Sequence, residues 1–497
     1  MPLLNLTLPS TSSPANTFKK LSWKGLYREA EIYKAALHLY TKPLFAWRKA
    51  LQKSSDNKNL YDLAKKGQRC LGSLHNALKN ENFHYRPGLI RRYNFNGKER
   101  NIFIFPWEER IVDFLLFKTL NQRLKSLFSK CTFAYREESG GVDSCQWKIS
   151  RLIKTNEKPL FLLKRDIYNY FDSVDQEILL HYLESCIEKN DYLYQLLYQR
   201  ICFQYLENNA LHTSRKGIPF GTSIACFFAN IFLTELDFLI SRISGIHYFR
   251  YADDFLIISS NLERIKNAED FFKKGIKELK LKEKQGHHFN YRFGNGQEKV
   301  VGFIPVNKFR HLGLEFRSSG ITGLSRDKFR KICNIFRYTF RRNRRKLERI
   351  KSIEEKIKKA IKLVHIALER GVRNVAIIDY YLKHVMDEKQ LKLLDRWLAE
   401  KILFIAFNRG HKKGNFHKIG FKKLREWGLP SFLHRHRLIR HGHIESPFFI
   451  WKKNQEFRGG WNEDCQARET KGIGNSGFLS RPRSSSKKNL VRERCCL

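Results

Sequence analysis

No apolar run in this chain approaches the roughly 18 residues that a membrane-crossing helix needs, so no membrane partner is expected. None of the ten cysteines sits in a Cys-x-x-Cys pair, which removes the usual support for a zinc site. The first eighteen residues have neither a basic start nor a long apolar core, so no signal peptide is expected. Scattered unpaired thiols fit a reducing cytoplasm. Acid is scarce: 49 Asp and Glu stand against 94 Lys and Arg, a formal net charge of +45. Self-repulsion on that scale points to a polyanionic partner, nucleic acid ahead of a membrane surface. A chain of 497 residues with 42% hydrophobic content has room for two to four domains and an ample core.

What is present is organised around Phe249-Arg250-Tyr251-Ala252-Asp253-Asp254-Phe255-Leu256-Ile257-Ile258. Two carboxylates between apolar, β-prone runs predict a hairpin whose tight turn holds Asp253 and Asp254. Such a pair alone fits a solvated turn as well as a metal site. A third acid changes the balance. Asp166 ends the strand-like run Pro159-Leu160-Phe161-Leu162-Leu163-Lys164-Arg165. Between the two stretches lies the loop Lys216-Gly217-Ile218-Pro219-Phe220-Gly221-Thr222-Ser223, which leads into a helical run from Ile224 to Phe238. Converging carboxylates need a cation, and hard oxygen ligands suit Mg²⁺.

The order Asp-x-x-x-x-Phe-Asp at Asp166 to Asp172, then Gly-x-Pro-x-Gly at Gly217 to Gly221, then Tyr-Ala-Asp-Asp at Tyr251 to Asp254 resembles a reverse transcriptase palm. The bacterial group, spanning group II intron, retron and phage-defence enzymes, is the most similar, over roughly residues 85 to 320. The resemblance implies an α+β right-hand polymerase of fingers, palm and thumb, with an antiparallel palm sheet and helical extensions at both ends. The expected segments are an N-terminal helical extension (1–80), fingers and palm (81–320), a basic helical thumb (321–370), a C-terminal helical region (371–453) and a flexible basic tail (454–497).

It also implies a site. Asp166, Asp253 and Asp254 are the expected catalytic acids. With Ile167 they are the expected holders of two Mg²⁺ ions, with Mn²⁺ as the alternative. Two ions about 3.5–4 Å apart would activate the primer hydroxyl and steady the leaving pyrophosphate. Lys98 and Arg100, on a hairpin read from Arg92 to Phe105, together with Tyr170, Phe171 and Gly221, are the expected nucleotide contacts. Phe171 would exclude a ribose 2′-hydroxyl by filling its space. The family commonly has Gln where this chain has Phe220, which removes an amide that positions template and nucleotide. Leu312 and Gly313 resemble a primer grip.

Beyond Gly323, Phe329, Ile332, Cys333, Phe336 and Phe340 form a helical stripe. Arg341, Arg342, Arg344, Arg345 and Lys346 then form a basic block suited to duplex phosphates. Residues 262–286 read as helix, and Asp172 and Asp175 as caps for the segment after them. Expected partners are an RNA template (a cognate noncoding RNA), the DNA product and dNTPs, in a bacterial cytoplasm; a homo-oligomer stays open. The chain lacks the paired cysteines of intron nuclease domains, the Asn-Ala-x-x-His and Val-Thr-Gly signals of retrons, and a Ser-Gln after Gly221. By exclusion it is closest to the unclassified, phage-defence-associated enzymes. Template-independent or protein-primed synthesis on the same fold, and a non-catalytic maturase-like RNA binder, are the alternatives.

Overall fold

The computed structural model describes residues 20–43, 46–95, 98–136, 139–294, 299–370, 378–379, 381–408 and 412–441. The start of the expected N-terminal extension (1–19) and the expected basic tail (454–497) lie outside them. Twelve strands are described: β1 (Gly88–Phe95), β2 (Lys98–Ile104), β3 (Leu160–Asp166), β4 (Gln204–Glu207), β5 (Ala210–Thr213), β6 (His247–Tyr251), β7 (Asp254–Ser259), β8 (Phe289–Phe293), β9 (Ile304–Val306), β10 (Lys308–His311), β11 (Leu314–Arg317) and β12 (Thr322–Leu324). Helices form most of the remainder, giving an α+β fold. The described residues fall into two compact units. One is drawn from Met1–Tyr135, Arg165–Phe255 and Lys266–His288. The other is drawn from Arg136–Lys164, Leu256–Ile265 and Phe289–Leu497.

In the first unit β2, β1, β4 and β5 form a sheet in that order. β1 and β2 pair antiparallel from Leu89↔Ile104 to Phe95↔Lys98, the hairpin that the alternating aromatic and β-branched residues predict. Phe103, Phe105 and Phe203 close its base as a small core. After Pro106 the helix Trp107–Arg123 buries Ile111, Val112, Leu115, Leu116 and Leu120. Arg200, fully buried, is held by Asp113 at 2.8 Å and Glu109 at 3.4 Å, and it stacks on Tyr85 at 3.7 Å. In the N-terminal helix Glu29–Thr41 the residues at helical spacing, Ile32, Ala35, Ala36 and Leu39, are the buried ones.

Three helical stretches are interrupted or cut short. Within the expected N-terminal helical extension, Leu60–Lys65 and Gly67–Lys79 are two helices, broken where a glycine weakens helical preference. The run Ile224 to Phe238 is Ile224–Phe232 and Thr234–Ser241, bent by 43°. There the Thr234 hydroxyl donates back to the Asn230 carbonyl at 3.1 Å, a contact that loosens the helical ladder. The third run, 262–286, is helical only over Leu262–Glu278. Lys280 turns left-handed (φ +54°) and the Leu281 N–H closes on the Ile276 carbonyl at 2.9 Å, a C-terminal cap that ends the helix early. Residues 282–284 then run extended, with the Tyr168 N–H donating to the Lys282 carbonyl and the Lys284 N–H to the Asp166 carbonyl, both at 2.9 Å.

Among the described residues no single helix is long and apolar enough to cross a membrane. The bent pair from Ile224 to Ser241 is apolar because it is core. No disulfide involves any of the seven described cysteines.

In the second unit the bodies of β7 and β3 lie beside β8 and β9 in that order. β3 and β8 pair antiparallel from Leu160↔Phe293 to Lys164↔Phe289, and β8 and β9 pair parallel. β10, β11 and β12 form a separate three-stranded antiparallel sheet. The helix Arg326–Arg342 buries Ile332, Cys333, Phe336 and Phe340, the stripe read from its period, with Phe329 half-buried. Asn343 interrupts it, and Arg344–Glu348 and Ile353–Arg370 follow. Helix Glu388–Phe407 presents Leu391, Leu394, Leu398, Ile402 and Leu403 to the interior.

Candidate active site

The turn between β6 and β7 uses only two residues, Ala252 and Asp253, so Asp254 already opens β7 rather than sharing the turn. Ala252 sits at φ +56°, a left-handed conformation that a residue with a Cβ rarely adopts. Surrounding structure has to enforce it. Arg250 does so: its guanidinium, fully buried, donates to the Ala252 carbonyl at 3.1 Å. The same guanidinium binds Asp237 through two bonds of 2.7 and 2.5 Å and reaches Asn230 Oδ1 at 3.2 Å and Thr132 Oγ1 at 3.3 Å. Tyr248 and Thr132 hydroxyls complete the Asp237 carboxylate at 2.7 and 2.8 Å. Burial works against the Arg250 charge, but the Asp237 carboxylate more than offsets it and keeps the guanidinium protonated. A buried cation with every arm occupied thus fixes the acidic turn from beneath.

Asp166, last residue of β3, carries the second carboxylate. The early end of the helix at Glu278 brings Lys284 to it, with Nζ 2.5 Å from Oδ2. His287 Nδ1 stands 3.7 Å from the same oxygen. Burial first, and then the charge of Asp166, push the Asp253 carboxyl up to about 6; Asp254 adds to the rise and Arg100 opposes it. The structure therefore brings Asp166, Asp253 and Asp254 within electrostatic reach of one another, with Arg100 at the edge. Ile167, next in sequence to Asp166, is buried, and its backbone bridges Glu283.

Among the described residues no three His, Cys, Asp or Glu side chains are grouped so that together they could hold a metal ion, and the expected set of Asp166, Asp253 and Asp254 is therefore not assembled as one. The donors nonetheless have the chemistry a hard cation takes: carboxylate oxygens on Asp166 and Asp253, with burial and then the Asp166 charge disfavouring the ionised form of Asp253, and a lysine ammonium beside Asp166.

On the nucleotide side, the Phe171 and Phe220 rings meet edge to face at 4.9 Å, and the Arg100 guanidinium lies 5.6 Å from the Phe220 ring. Arg100, exposed on β2, faces this aromatic pair. Lys98 opens β2, but its side chain lies outside the described residues. Tyr170 departs from expectation: its ring is buried and its hydroxyl donates to the Ala229 carbonyl at 2.6 Å, so its side chain belongs to the core and only supports Phe171, 5.7 Å away. Gly221 (φ +110°) does make a close approach, but to β2. A Cβ there would stand 2.8 Å from Ile102 Cγ2 and 3.1 Å from the Phe103 carbonyl, while the Phe103 N–H donates to the Phe220 carbonyl at 2.9 Å. Asp175 caps helix Gln176–Cys186 through Ile178 N–H at 3.1 Å; Asp172 makes no such cap and feels Arg100 instead.

In the second unit Leu312 (φ +48°) and Gly313 (φ +83°) form the two-residue turn from β10 to β11, not a continuous strand. Arg341, Arg342, Arg344 and Arg345 are all exposed. Not all lack an acidic partner, since Arg344 pairs with Glu348 at 2.7 Å.

Arg250, Asp237 and Asn230 are residues to which the sequence reading gave no role, and Lys284 lies in a lysine-rich run that it read as solvated charge. Two carried a signal. Arg250 interrupts the aromatic run Tyr248 to Tyr251, and Asp237 sits in a helix otherwise apolar toward the core, so each is a charge in a stretch destined for burial.

Residues 87–313 match the family described as reverse transcriptase (RNA-dependent DNA polymerase). An uncharacterized 91 kDa protein in the cob intron of Schizosaccharomyces pombe is 25% identical over 170 residues, 34% of this chain and 20% of that protein. The chain thus spans about a fifth of the length of that curated relative. Among solved structures, apo telomerase from Candida tropicalis aligns over 71% of this chain and 68% of its own at 13% identity, with a TM-score of 0.40. Telomerase from Candida albicans with a fragment of telomeric RNA aligns over 79% and 68% at 11% identity, with a TM-score of 0.39. The stretch from Pro87 to Gly313, which builds the acidic turn, the β3 carboxylate and the Phe171–Phe220 pair, is the part of the chain that is similar to the reverse transcriptase (RNA-dependent DNA polymerase) family.

Proposed function

We propose that this protein extends a DNA end from dNTPs on an RNA template. The observation that carries the reading is that Asp166, 87 positions away in the chain, is close enough to Asp253 for its charge to add to the effect of burial in raising the Asp253 carboxyl to about 6. Asp166 and Asp253, with Asp254, would hold two Mg²⁺ ions, which when bound supply charge neutralisation at the transferred phosphoryl group. The chain's own groups do the rest. Arg100 offers planar donors to an incoming triphosphate. Phe171, held from below by Tyr170, walls the space next to the sugar. Arg250 and Asp237 keep the acidic turn in a single conformation, so the carboxylates are positioned before substrate arrives. Primer extension on an RNA template with Mg²⁺ tests the reading: product is expected from the native chain and none from Asp253→Asn.

Phe220 favours a second reading on the same fold. A ring where an amide is usual, packed on Phe171, loosens dependence on a template. Incorporation of labelled dNTPs with no nucleic acid added would support template-independent or protein-primed synthesis.

The RNA is proposed to be a cognate noncoding RNA, and the setting antiphage defence in a bacterial cytoplasm. The support is the absence of intron-nuclease cysteine pairs and of retron signals in the sequence. The curated relative's position in an intron favours the alternative that the template is an intron RNA. Sequencing RNA co-purified with the protein separates the two.

A further inference from the structure

The second unit contains a recess of about 510 Å³ where the β10–β12 sheet meets the helices Arg326–Arg342 and Glu388–Phe407. None of the expected site residues lines it. Its walls carry Lys308, Arg317, Arg326, Arg330 and Arg337 against a single acid, Glu315. That acid is already engaged, 3.7 Å from Lys308 and 3.8 Å from Arg317, and Arg317 also pairs with Asp387 at 2.7 Å.

The three helix arginines are different. At about 100° per residue, positions 326, 330 and 337 fall within about 40° of one another on the helix circumference, spread over about 16 Å of its length. Among the described residues Arg326 and Arg330 have no acidic partner, and Arg337 bonds the neutral Asn334 amide, at 2.8 Å. The stripe is therefore a row of exposed guanidiniums with no described anion to neutralise it.

The floor is apolar and aromatic. Leu324 and Cys333 are buried there, Phe329 and Trp397 are half-buried, and Leu393 is 58% exposed. The Arg337 guanidinium lies over the Trp397 indole at 5.2 Å, which leaves a planar cation–aromatic platform at the mouth. A bare duplex phosphate backbone would use the cations but has no use for the apolar floor. A polyanion whose bases are free to leave their stack uses both: phosphates on the arginine stripe, a base on Trp397 and Leu393.

We propose that this recess binds an unpaired nucleotide of a single-stranded nucleic acid, with the base seated on Trp397 and the flanking phosphates on Arg326, Arg330 and Arg337. It is a binding site separate in sequence from the carboxylates of Asp166, Asp253 and Asp254, and it does not depend on how those carboxylates act. RNA and DNA single strands share this chemistry, and binding assays distinguish them.

The test is fluorescence anisotropy with the full chain and three labelled probes: a 12-nucleotide oligo-U, a 12-nucleotide oligo-dT and a blunt duplex of the same length. Trp397→Leu is expected to weaken single-strand binding about 5- to 150-fold, the range for loss of one stacked base, and to leave duplex binding within about twofold. Arg326→Gln/Arg330→Gln, at exposed positions that do not threaten folding, is expected to reduce the single-strand salt slope by about 1.4, two contacts at roughly 0.7 each. A larger loss for oligo-U than for oligo-dT assigns the site to RNA, and the reverse assigns it to DNA. Either supports the proposal. Unchanged single-strand affinity in the double arginine variant, or an equal loss on duplex and single strand in both variants, overturns it.

Discussion

Asp253→Asn should make the metal-free protein more stable while removing its polymerase activity. In the folded chain the Asp253 carboxyl titrates at about 6, against 3.8 for the ordinary group, because burial and the nearby Asp166 charge disfavour its ionised form. A rise of about two pH units is worth about 3 kcal/mol. The sign follows from the direction. The unfolded chain releases this proton near pH 3.8 and the folded chain only near 6, so the group costs nothing well below 3.8. Its cost grows through the window between the two values and is complete above 6.

Asparagine has the same shape without the charge and escapes that cost. For the first unit, of roughly 250 residues, 1 kcal/mol moves Tm by about 2 °C, so the gain at pH 7.5 is up to about 6 °C. At pH 5 roughly half the gain should remain, and near pH 4 almost none. The assay is thermal unfolding of native and Asp253→Asn proteins in excess chelator at these pH values. Adding Mg²⁺ at pH 7.5 should then raise the Tm of the native protein and leave the variant nearly unmoved. An Asn variant that is no more stable than the native chain, or whose advantage does not shrink with acid, refutes the argument that the turn stores uncompensated negative charge.

Phe171→Ala should admit ribonucleotides, seen as a fall in the ratio of kcat/KM for a dNTP over the matching NTP; an unchanged ratio would reject the steric role. Asp237→Ala leaves the Arg250 guanidinium buried without its carboxylate and should cost about 3–5 kcal/mol in denaturant unfolding, whereas a loss under 1 kcal/mol would show that Arg250 is satisfied elsewhere. Binding to nucleic acid should weaken by roughly 10³-fold or more between 50 and 200 mM salt, given several arginine–phosphate contacts, and a flat response would contradict the electrostatic reading of the +45 charge.

The parts legible in the sequence were those that follow local rules. The hairpin of β1 and β2, the strand ending at Asp166 and the helical stripe from Ile332 to Phe340 each have a period that the chain itself displays. The three acids proposed for the site stand out in the sequence through their order and spacing. What was not legible depended on partners distant in sequence or on where a helix stops. Lys284 reaches Asp166 only because Lys280 turns left-handed, and nothing in Leu279-Lys280-Leu281 forbade further helix. Tyr170 and Phe171 look alike in the sequence, and only the Ala229 carbonyl shows which of them is core. Gly221 was read as room for a nucleotide, whereas its hydrogen atom faces Ile102 of β2. The Arg250–Asp237 clamp joins a strand to a helix, a pairing that no periodicity encodes.

Direct titration of Mn²⁺, read by its electron paramagnetic resonance signal, into the native chain, Asp166→Asn and Asp253→Asn bears most closely on the convergence of these acids. Tight binding by the native protein at pH 7.5, weakened about tenfold or more by each single substitution and falling as the pH drops below 6, is the expected result. Native-like Mn²⁺ affinity in Asp166→Asn would mean that the two carboxylates do not share a cation, and the proposed polymerase site would not stand.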